Sequence, residues 1–265
     1  MGILNITPDS FSDGGQFLDF DDALFQAEKM IGEGADIIDV GGESTRPGAQ
    51  QVSTEEEMHR VLPLIEKLKA KTGTAISVDT SKAEVMREAA GLGVDLINDV
   101  RALQVEGALK AVADAGLPVC IMHMKGKPIN MQEKPSYEDL FSEIINFFNE
   151  RVSDCIQAGV LPDNIILDPG FGFGKTAQHN LALVNRLSAF KVLDKPLLVG
   201  LSRKSTIGTV ESANRNKNSD RLIASVIGAL IAVQNGASIV RVHDVAQTVS
   251  ALAMASAIKT EGEDL

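Results

Sequence analysis

Eight short apolar segments recur along this chain of 265 residues, and polar or charged residues follow almost every one of them. The segments are rich in β-branched residues, which is typical of parallel strands whose two faces are both covered. We predict strands at residues 2–4, 37–40, 75–78, 95–97, 119–122, 165–167, 197–201 and 238–240. In a closed barrel of such strands, all eight carboxyl ends converge on one face, where these barrels carry their chemistry.

Amphipathic segments with helical spacing separate the strands. We predict helices at residues 21–33, 54–71, 82–90, 106–115, 137–158, 179–190, 219–235 and 246–260, with Ser53 or Thr54 capping the second. Alternating strands and helices select a parallel sheet, and eight such units close a barrel. The predicted fold is therefore a single α/β domain over residues 1–265, a (βα)8 TIM barrel with its active site at the carboxyl ends of the strands.

A doubly wound open sheet is the alternative architecture. Its dinucleotide-binding form carries G-x-G-x-x-G in the first turn between strand and helix, and residues 13–16, Asp-Gly-Gly-Gln, do not match that pattern. The loops at residues 7–20 and 125–136 are long for barrel connections, which favours a role as lids over the catalytic face.

Composition and charge narrow the classes of partner. Hydrophobic residues make up 44% of the chain and its longest apolar runs are strand-sized, so we expect no membrane span. The formal net charge of −11 argues against nonspecific binding to nucleic acid. The first residues do not form a secretory signal and two cysteines make no disulfide framework, so we expect a cytoplasmic location.

The segment at residues 41–48, Gly-Gly-Glu-Ser-Thr-Arg-Pro-Gly, combines hydroxyls, an arginine and exposed backbone N–H groups. These are the components of a cradle for an oxyanion or a phosphate. The alternative is a turn rich in glycine and proline with a solvated Arg46. Further cationic residues follow later strands, so we expect a positive barrel mouth on an acidic body. They are Arg203, Lys204, Arg241 and His243.

Three polar residues, Asp79, Asn98 and Asp168, end the third, fourth and sixth predicted strands. If they converge in one crevice, they could form hydrogen bonds with the polar edge of a planar heterocycle. A carboxylate accepts two parallel N–H bonds, and an amide both donates and accepts. Lys204 could add a donor to a ring carbonyl or nitrogen. The alternatives are that each acidic residue caps the next helix and that Lys204 is a surface lysine.

Arg241 and His243 stand two residues apart on an extended segment, so both side chains lie on one side, which fits a diphosphate clamp. The four histidines form no H-x-H or H-x-x-x-H pair, which argues against a zinc hydrolase, and we interpret His59 and His179 as structural.

Two oxygen donors, Asn5 and Asp13, lie at the end of the first predicted strand and in the loop after it. Mg²⁺ prefers a few protein oxygens together with substrate phosphate, so this pair is a candidate Mg²⁺ site.

Motifs across the whole chain, in order, resemble those of the dihydropteroate synthase family of pterin-binding barrels. They are MGILNITPDSFSDGG at residues 1–15, GGESTRPG at 41–48, SVDT at 77–80, IND at 97–99, MHM at 122–124, DPGFGFGK at 168–175, SRKS at 202–205 and RVHD at 241–244. Members of this family often begin with a hairpin that covers the bottom of the barrel. Residue 1 here stands at the first strand, so either the natural start lies upstream or the bottom is covered in another way.

The resemblance implies a transferase of folate biosynthesis that condenses 6-hydroxymethyl-7,8-dihydropterin diphosphate with p-aminobenzoate and releases diphosphate. The implied pterin contacts are Asp79, Asn98, Met122, Asp168, Lys204 and Arg241. The implied diphosphate contacts are Asn5, Thr45, Arg46, Arg241 and His243. The implied boundary of the p-aminobenzoate pocket is Phe11, Arg46, Pro47, Phe173, Lys204 and Ser205. Asn5 and Asp13 would bind Mg²⁺, and the catalytic set would be Asn5, Arg46, Lys204, Arg241 and His243.

The same resemblance implies an SN1-like displacement, sulfonamide inhibitors and a homodimer. Positioning and charge stabilisation suffice for such a route, because diphosphate is a good leaving group and the arylamine is already nucleophilic. We assign no general base. Two other functions stay open: a methyltetrahydrofolate methyltransferase that works with a corrinoid protein, and a non-catalytic pterin-binding relative. The first would not need a diphosphate clamp, and the second would be expected to lose Asn5, Arg46 or Lys204.

Overall fold

The structure is a computed structural model that describes residues 1–6, 16–44, 52–126, 131, 135–213 and 221–263. Eight strands alternate with helices along the chain, and every strand pairs in parallel with its neighbours. The strands are β1 (Gly2–Asn5), β2 (Ile37–Gly41), β3 (Ala75–Asp79), β4 (Leu96–Asp99), β5 (Val119–Met122), β6 (Ile165–Asp168), β7 (Leu198–Val199) and β8 (Ile239–Val240). Strands β1 to β6 form one continuous sheet in chain order, and β7 pairs with β8.

Two single parallel bridges join the two sheets into a barrel. Leu167 of β6 pairs with Leu197 before β7, and Gly2 of β1 pairs with Val242 after β8. The Ile3 N–H strengthens the second junction by donating to the Val242 carbonyl at 3.0 Å. The predicted parallel barrel of eight strands is therefore confirmed, and the open doubly wound sheet is excluded.

The helices within the described residues surround this barrel. They are α1 (Gln16–Gly32), α2 (Thr54–Lys71), α3 (Ala83–Gly91), α4 (Ala108–Ala115), α5 (Leu140–Gln157), α6 (Ala177–Asn185), α7 (Ser205–Ala213), α8 (Leu222–Gln234) and α9 (Val245–Lys259). The Ser53 hydroxyl caps α2 by accepting from the Glu56 N–H at 3.1 Å. None of the helices described is long and apolar enough to cross a membrane.

One predicted helix differs from the structure, and one helix of the structure was not predicted. The segment predicted as one helix at 179–190 is α6 followed by the 3-10 helix Leu187–Leu193. Helix α7 was not predicted, because its β-branched residues and Gly208 have low helix propensity. It packs against α6 and α8, and this tertiary packing overrides the local preference.

Side chains alternate between the two faces of each strand, and the alternation sorts the core into two parts. Outward residues such as Ile38, Val78 and Ile121 are fully buried and pack with the helices in the main core. Inward residues at the amino ends of the strands form a separate apolar cluster that fills the bottom of the barrel. It contains Met1, Leu96, Cys120 and Leu198, with Ile37, Ile166 and Ile239 packed against it. The inward positions nearer the carboxyl ends are polar, and they form the candidate site.

Candidate active site

The inward-facing positions at the carboxyl ends of the strands carry most of the predicted site residues. Asn5, Asn98, Met122, Asp168 and Arg241 each stand two or four residues beyond a residue of the apolar cluster at the bottom of the barrel, and Asp79 pairs with the inward Gly41. The period of two therefore turns all of them toward the barrel axis. Gly41 and Gly200 occupy the same inward layer, and their missing side chains leave room for Asn5, Asp79 and Arg241. The structure thus brings together Asn5, Asp79, Asn98, Met122, Asp168 and Arg241 at one end of the barrel.

Arg241 occupies the centre of this end and contacts two carboxylates. Its Nε donates to Asp39 Oδ2 at 2.5 Å, and its terminal Nη2 donates to Asp79 Oδ2 at 2.8 Å. Asp39 is fully buried in the middle of β2. The alternative interpretation of Asp79 as a helix cap is therefore wrong, because its carboxylate faces the guanidinium inside the barrel.

The pKa values of Asp79 and Arg241 are shifted by burial and by the charges around them. Burial raises the pKa of Asp79 to about 7, against the lowering influence of Arg241, and the nearby carboxylate of Asp39 raises it further. Burial lowers the pKa of Arg241, but the contacts with Asp39 and Asp79 outweigh it and hold the guanidinium charged. The Asp79 carboxyl therefore changes charge near neutral pH, while the guanidinium of Arg241 stays charged.

Asn98 is buried beside this ion pair. Its Nδ2 donates to Asp39 Oδ2 at 3.2 Å, so the same carboxylate oxygen serves both Asn98 and Arg241. With its nitrogen turned to Asp39, the amide directs its oxygen away from that carboxylate. Asn98 thus offers an acceptor to the site.

Asp168 ends β6 and is buried. Its Oδ1 accepts from the Gly170 N–H at 2.7 Å, and no described residue hydrogen-bonds to its other oxygen. Burial raises the pKa of this carboxyl, and the charge of Lys204 opposes that rise. The alternative interpretation of Asp168 as a cap of the next helix is wrong, because Thr176 caps α6 and Asp168 holds only the turn at Gly170. Its second oxygen is available to a ligand.

Lys204 lies beside Asp168 at the barrel mouth and is held over an aromatic wall. Its Nζ donates to the Phe171 carbonyl at 2.5 Å and lies 4.4 Å from the centroid of the Phe173 ring, within the range of a cation–π contact. Burial lowers its pKa to about 8, although Asp168 raises it. Met122 packs with Phe173 and Met131 in a small buried cluster, which adds an apolar wall.

The loop at residues 170–175 is pressed tightly against the chain that follows β5. Gly170 and Gly174 have φ of 72° and 63°, and a Cβ there would lie 1.9 Å and 2.1 Å from the carbonyl oxygens of His123 and Lys125. Only glycine fits at these two positions. The close packing fixes the loop that carries Phe173.

A buried lysine fastens the same loop. Lys175 is only 2% exposed, and its Nζ contacts His123 Nδ1 at 2.9 Å and the Phe173 carbonyl at 3.0 Å. Burial lowers the pKa of Lys175 to about 7, and burial with the nearby lysine lowers that of His123 to about 2. His123 is therefore neutral, and its Nδ1 accepts a hydrogen bond from the lysine.

The rim carries the remaining described residues. His243 Nδ1 lies 3.0 Å from Ser202 Oγ, and Ser205 is exposed at the start of α7. Arg203, predicted to add positive charge at the mouth, forms an ion pair with Asp244. His179 caps α6 together with Thr176, which confirms its structural interpretation.

Several predicted site residues lie outside the described residues. They are Phe11, Asp13, Thr45, Arg46 and Pro47. The base of the 41–48 segment is described, and there Lys82 bridges Glu43 and the buried Glu57. Asn5 Oδ1 lies beside Gly41, so one oxygen donor of the candidate Mg²⁺ pair faces the mouth. The described residues hold no cluster of three or more His, Cys, Asp or Glu suited to a metal.

Sequence reasoning missed Asp39, His123 and Lys175 as parts of the site. A signal for Asp39 was available, because it is the one charged residue within the apolar strand segment at 37–40 and stands at an inward position. Lys175 had a weaker signal: it ends a run of glycines and phenylalanines in which a solvated lysine would be equally compatible.

Comparison with known proteins gives this geometry a family. A model of the pterin binding enzymes matches residues 1–243. The dihydropteroate synthase of Haemophilus influenzae is 55% identical over 248 residues, which are 94% of this chain and 89% of the relative. The Yersinia pestis dihydropteroate synthase, solved in a sulfonamide drug complex, superposes with a TM-score of 0.91 at 49% identity and covers 98% of this chain and 93% of its own.

The Xanthomonas albilineans dihydropteroate synthase with 4-aminobenzoic acid superposes with a TM-score of 0.90 at 46% identity, covering 97% of this chain and 92% of its own. Fold, inward-facing site residues and near full-length similarity agree. The chain belongs to the pterin binding enzymes, and among them to the dihydropteroate synthase family of transferases.

Proposed function

We propose that this protein condenses 6-hydroxymethyl-7,8-dihydropterin diphosphate with p-aminobenzoate to give 7,8-dihydropteroate and diphosphate. The observation that carries the proposal is the inward layer in which Asp79, Asn98 and Asp168 converge beneath Lys204. A dihydropterin presents amino and ring N–H donors along one edge and a carbonyl beside them. Two carboxylates and an amide oxygen suit the donors, and a lysine suits the carbonyl.

The aromatic wall is the candidate pocket for the second substrate. Phe173 supports the Lys204 ammonium, and Ser205 begins α7 beside it. p-Aminobenzoate needs an apolar slot for its ring and a cation or hydroxyl for its carboxylate, and these side chains supply both. The Xanthomonas albilineans relative binds 4-aminobenzoic acid, and the Yersinia pestis relative binds a sulfonamide. We propose the same two ligand classes here.

Loss of diphosphate is the step that needs charge stabilisation. His243 on the rim, with Arg46 and Thr45 of the 41–48 segment, would hold the leaving group. Asn5 with Asp13 would hold a Mg²⁺ ion, which when bound would neutralise charge on the diphosphate. The amide oxygen of Asn5 at the mouth fits such an ion, because Mg²⁺ prefers oxygen donors.

The route proposed is SN1-like. The electron-rich dihydropterin stabilises a cationic methylene, so the protein's task is to orient the ring and keep the arylamine in line. Asp79, Asp168 and Asn98 perform the orientation, and Phe173 with Met122 bounds the space in which the arylamine approaches. The arylamine attacks in its neutral form, so no general base is assigned to activate it, and the nitrogen that forms the new C–N bond then releases one proton to solvent or to the departing diphosphate.

We also propose a homodimer formed through α8 and α9. Ile223, Ile227 and Ile231 recur every four residues on α8 and are exposed, and Met254 and Ile258 are exposed on α9. Ile223 is 70% and Ile258 71% exposed. A contiguous apolar stripe on two packed helices is costly in water, and a second copy of the chain would cover it. The two free cysteines, both buried, fit the proposed cytoplasmic location.

The experiment that tests the proposed reaction measures diphosphate release with and without p-aminobenzoate. Release that requires the arylamine, together with formation of 7,8-dihydropteroate, is the expected result. The methyltransferase alternative predicts no diphosphate release and a methyl transfer that depends on a corrinoid protein. Binding of the pterin without turnover would favour the non-catalytic alternative.

A further inference from the structure

Asp39 lies one inward layer deeper in the barrel than the residues proposed to form hydrogen bonds with the pterin. It stands in the middle of β2, paired across the sheet with Ile3 of β1 and Ser77 of β3, and its side chain is 0% exposed. A buried carboxylate is costly unless charged or polar partners compensate it. Its partners therefore show what the position is for.

Both hydrogen bonds to Asp39 come from residues of the proposed pterin site. Oδ2 accepts from Arg241 Nε at 2.5 Å and from Asn98 Nδ2 at 3.2 Å. Oδ1 is buried and has no hydrogen-bond partner among the described residues. One oxygen thus connects two residues that would face the ligand, while the carboxylate itself lies behind them.

The contact with Asn98 decides which end of its amide meets a ligand. An amide that can rotate by half a turn offers either a donor or an acceptor. With Nδ2 bound to Asp39, Asn98 offers its oxygen, which suits the N–H groups of a reduced pterin. Without that contact, both orientations would be available.

The contact with Arg241 fixes the plane of its guanidinium. Asp39 accepts a hydrogen bond from Nε and Asp79 accepts one from Nη2, so two carboxylates hold the guanidinium from two sides. A ligand that engages Asp79 competes with Arg241 for that carboxylate, whereas the bond to Asp39 lies below the ligand and remains. The guanidinium then keeps its position through binding.

We infer that Asp39 is a positioning residue for the pterin site. Without touching the ligand, Asp39 keeps the amide oxygen of Asn98 turned toward it and holds the plane of the Arg241 guanidinium. The inference rests on the proposed function, since it takes the pterin as the ligand of this layer. A merely structural role would change stability and would affect both substrates alike.

Three single variants separate these roles. Asp39→Ala removes the shared acceptor, whereas Asp39→Asn keeps an oxygen that can accept both hydrogen bonds without the charge. Ser77→Ala is the matched control, because Ser77 is equally buried in the adjacent strand and its hydroxyl has no hydrogen-bond partner among the described residues. Titration calorimetry with 6-hydroxymethylpterin measures the first substrate's site, and the KM for p-aminobenzoate reports the second.

Asp39→Ala should weaken pterin binding about ten- to a hundredfold, the loss expected for hydrogen bonds to a charged group. Asp39→Asn should lose about three- to tenfold, because neutral hydrogen bonds are roughly half as strong. Ser77→Ala, and the p-aminobenzoate KM of every folded variant, should stay within about twofold of wild type. If Asp39→Ala fails to fold, the pterin affinity of Asp39→Asn still tests the inference, because a wild-type affinity in that variant would overturn it.

A double-mutant cycle tests whether Asp39 acts through Asn98. If it does, Asp39→Asn combined with Asn98→Ala should lose less pterin affinity than the product of the two single losses. A loss of pterin affinity in the double variant that equals the product of the two single losses would overturn the positioning role, and so would equal losses for both substrates. Either result would leave the proposed function intact. A wild-type protein that binds no pterin would overturn the proposed function as well.

Discussion

Replacing Asp168 by asparagine should weaken pterin binding beyond the loss of a charge, because a backbone contact dictates how the new amide points. Asp168 Oδ1 accepts from the Gly170 N–H at 2.7 Å. An asparagine keeps this bond only by turning its oxygen to Gly170. Its NH₂ group then faces the site, where the proposed pterin presents N–H donors, so a donor opposes a donor.

The size of the effect follows from the contacts that change. A hydrogen bond to a charged group contributes about 1.5–3 kcal/mol, which corresponds to about ten- to a hundredfold in Kd. The opposed donors favour the upper half of that range. The retained bond to Gly170 keeps the loop in position, so the melting temperature should fall by no more than about 4 °C, equivalent to roughly 1 kcal/mol in a chain of this size.

Titration calorimetry with 6-hydroxymethylpterin measures the affinity, and Asp95→Asn provides a matched control. Asp95 also accepts a backbone N–H, that of Ile76 at 2.8 Å, but it lies at the opposite end of the barrel. Its variant should bind the pterin as the wild type does. Wild-type affinity in a folded Asp168→Asn protein, or an equal loss in the control, would refute the reasoning.

Four further outcomes are expected. Burial lowers the pKa of Lys204 to about 8 and Asp168 raises it, so pterin affinity should decline above pH 8, and in Asp168→Asn that decline should begin at lower pH; unchanged pH profiles would contradict this. Arg46→Ala should weaken the pterin diphosphate far more than 6-hydroxymethylpterin, and equal losses by calorimetry would exclude the clamp. p-Aminobenzoate should bind more tightly with Mg²⁺ and diphosphate present than without them. Ordering the loop predicted at residues 7–20 costs about 1–2 kcal/mol per residue, and those two ligands would offset that cost. Equal affinities in the two conditions would contradict ordered binding. Ile227→Lys should give a monomer by light scattering while Phe25→Lys, 67% exposed on α1, should not, and a dimer in both would move the interface elsewhere.

The fold could be predicted because the strand pattern, the helix pattern and the polar residues at the strand ends all indicate a parallel barrel. Apolar strand segments alternate with amphipathic helices, and the polar residue that ends a strand such as β3 or β6 stands at an inward position. The period of two then brings Asp79, Asn98 and Asp168 together without knowledge of the pairing. Helix α7 could not be predicted, because neighbouring helices stabilise a segment whose own propensity is poor.

The internal contacts of the site could not be predicted in the same way. Sequence spacing indicates which side chains face the axis, but not which of several carboxylates pairs with a given cation. Arg241 was expected to face the ligand, and in the structure its guanidinium contacts Asp39 and Asp79. Such pairing depends on barrel closure, which places β8 beside β1 and one strand away from β2, so that residues 202 positions apart meet.

The charges inside the barrel suit the two parts of the proposed pterin diphosphate substrate at different depths. Asp39, Asp79 and Asp168 place three carboxylates in the inward layer. The cations near them are Arg241, which pairs with the first two, and Lys204 and Lys175, which lie near Asp168. Burial, opposed by Arg241 and reinforced by Asp39, raises the pKa of Asp79 to about 7. A diphosphate placed at this depth would face these carboxylates, whereas a neutral ring rich in N–H donors would satisfy them. On the proposed function we therefore expect the diphosphate at the rim, beside His243, and the reacting methylene between the two levels.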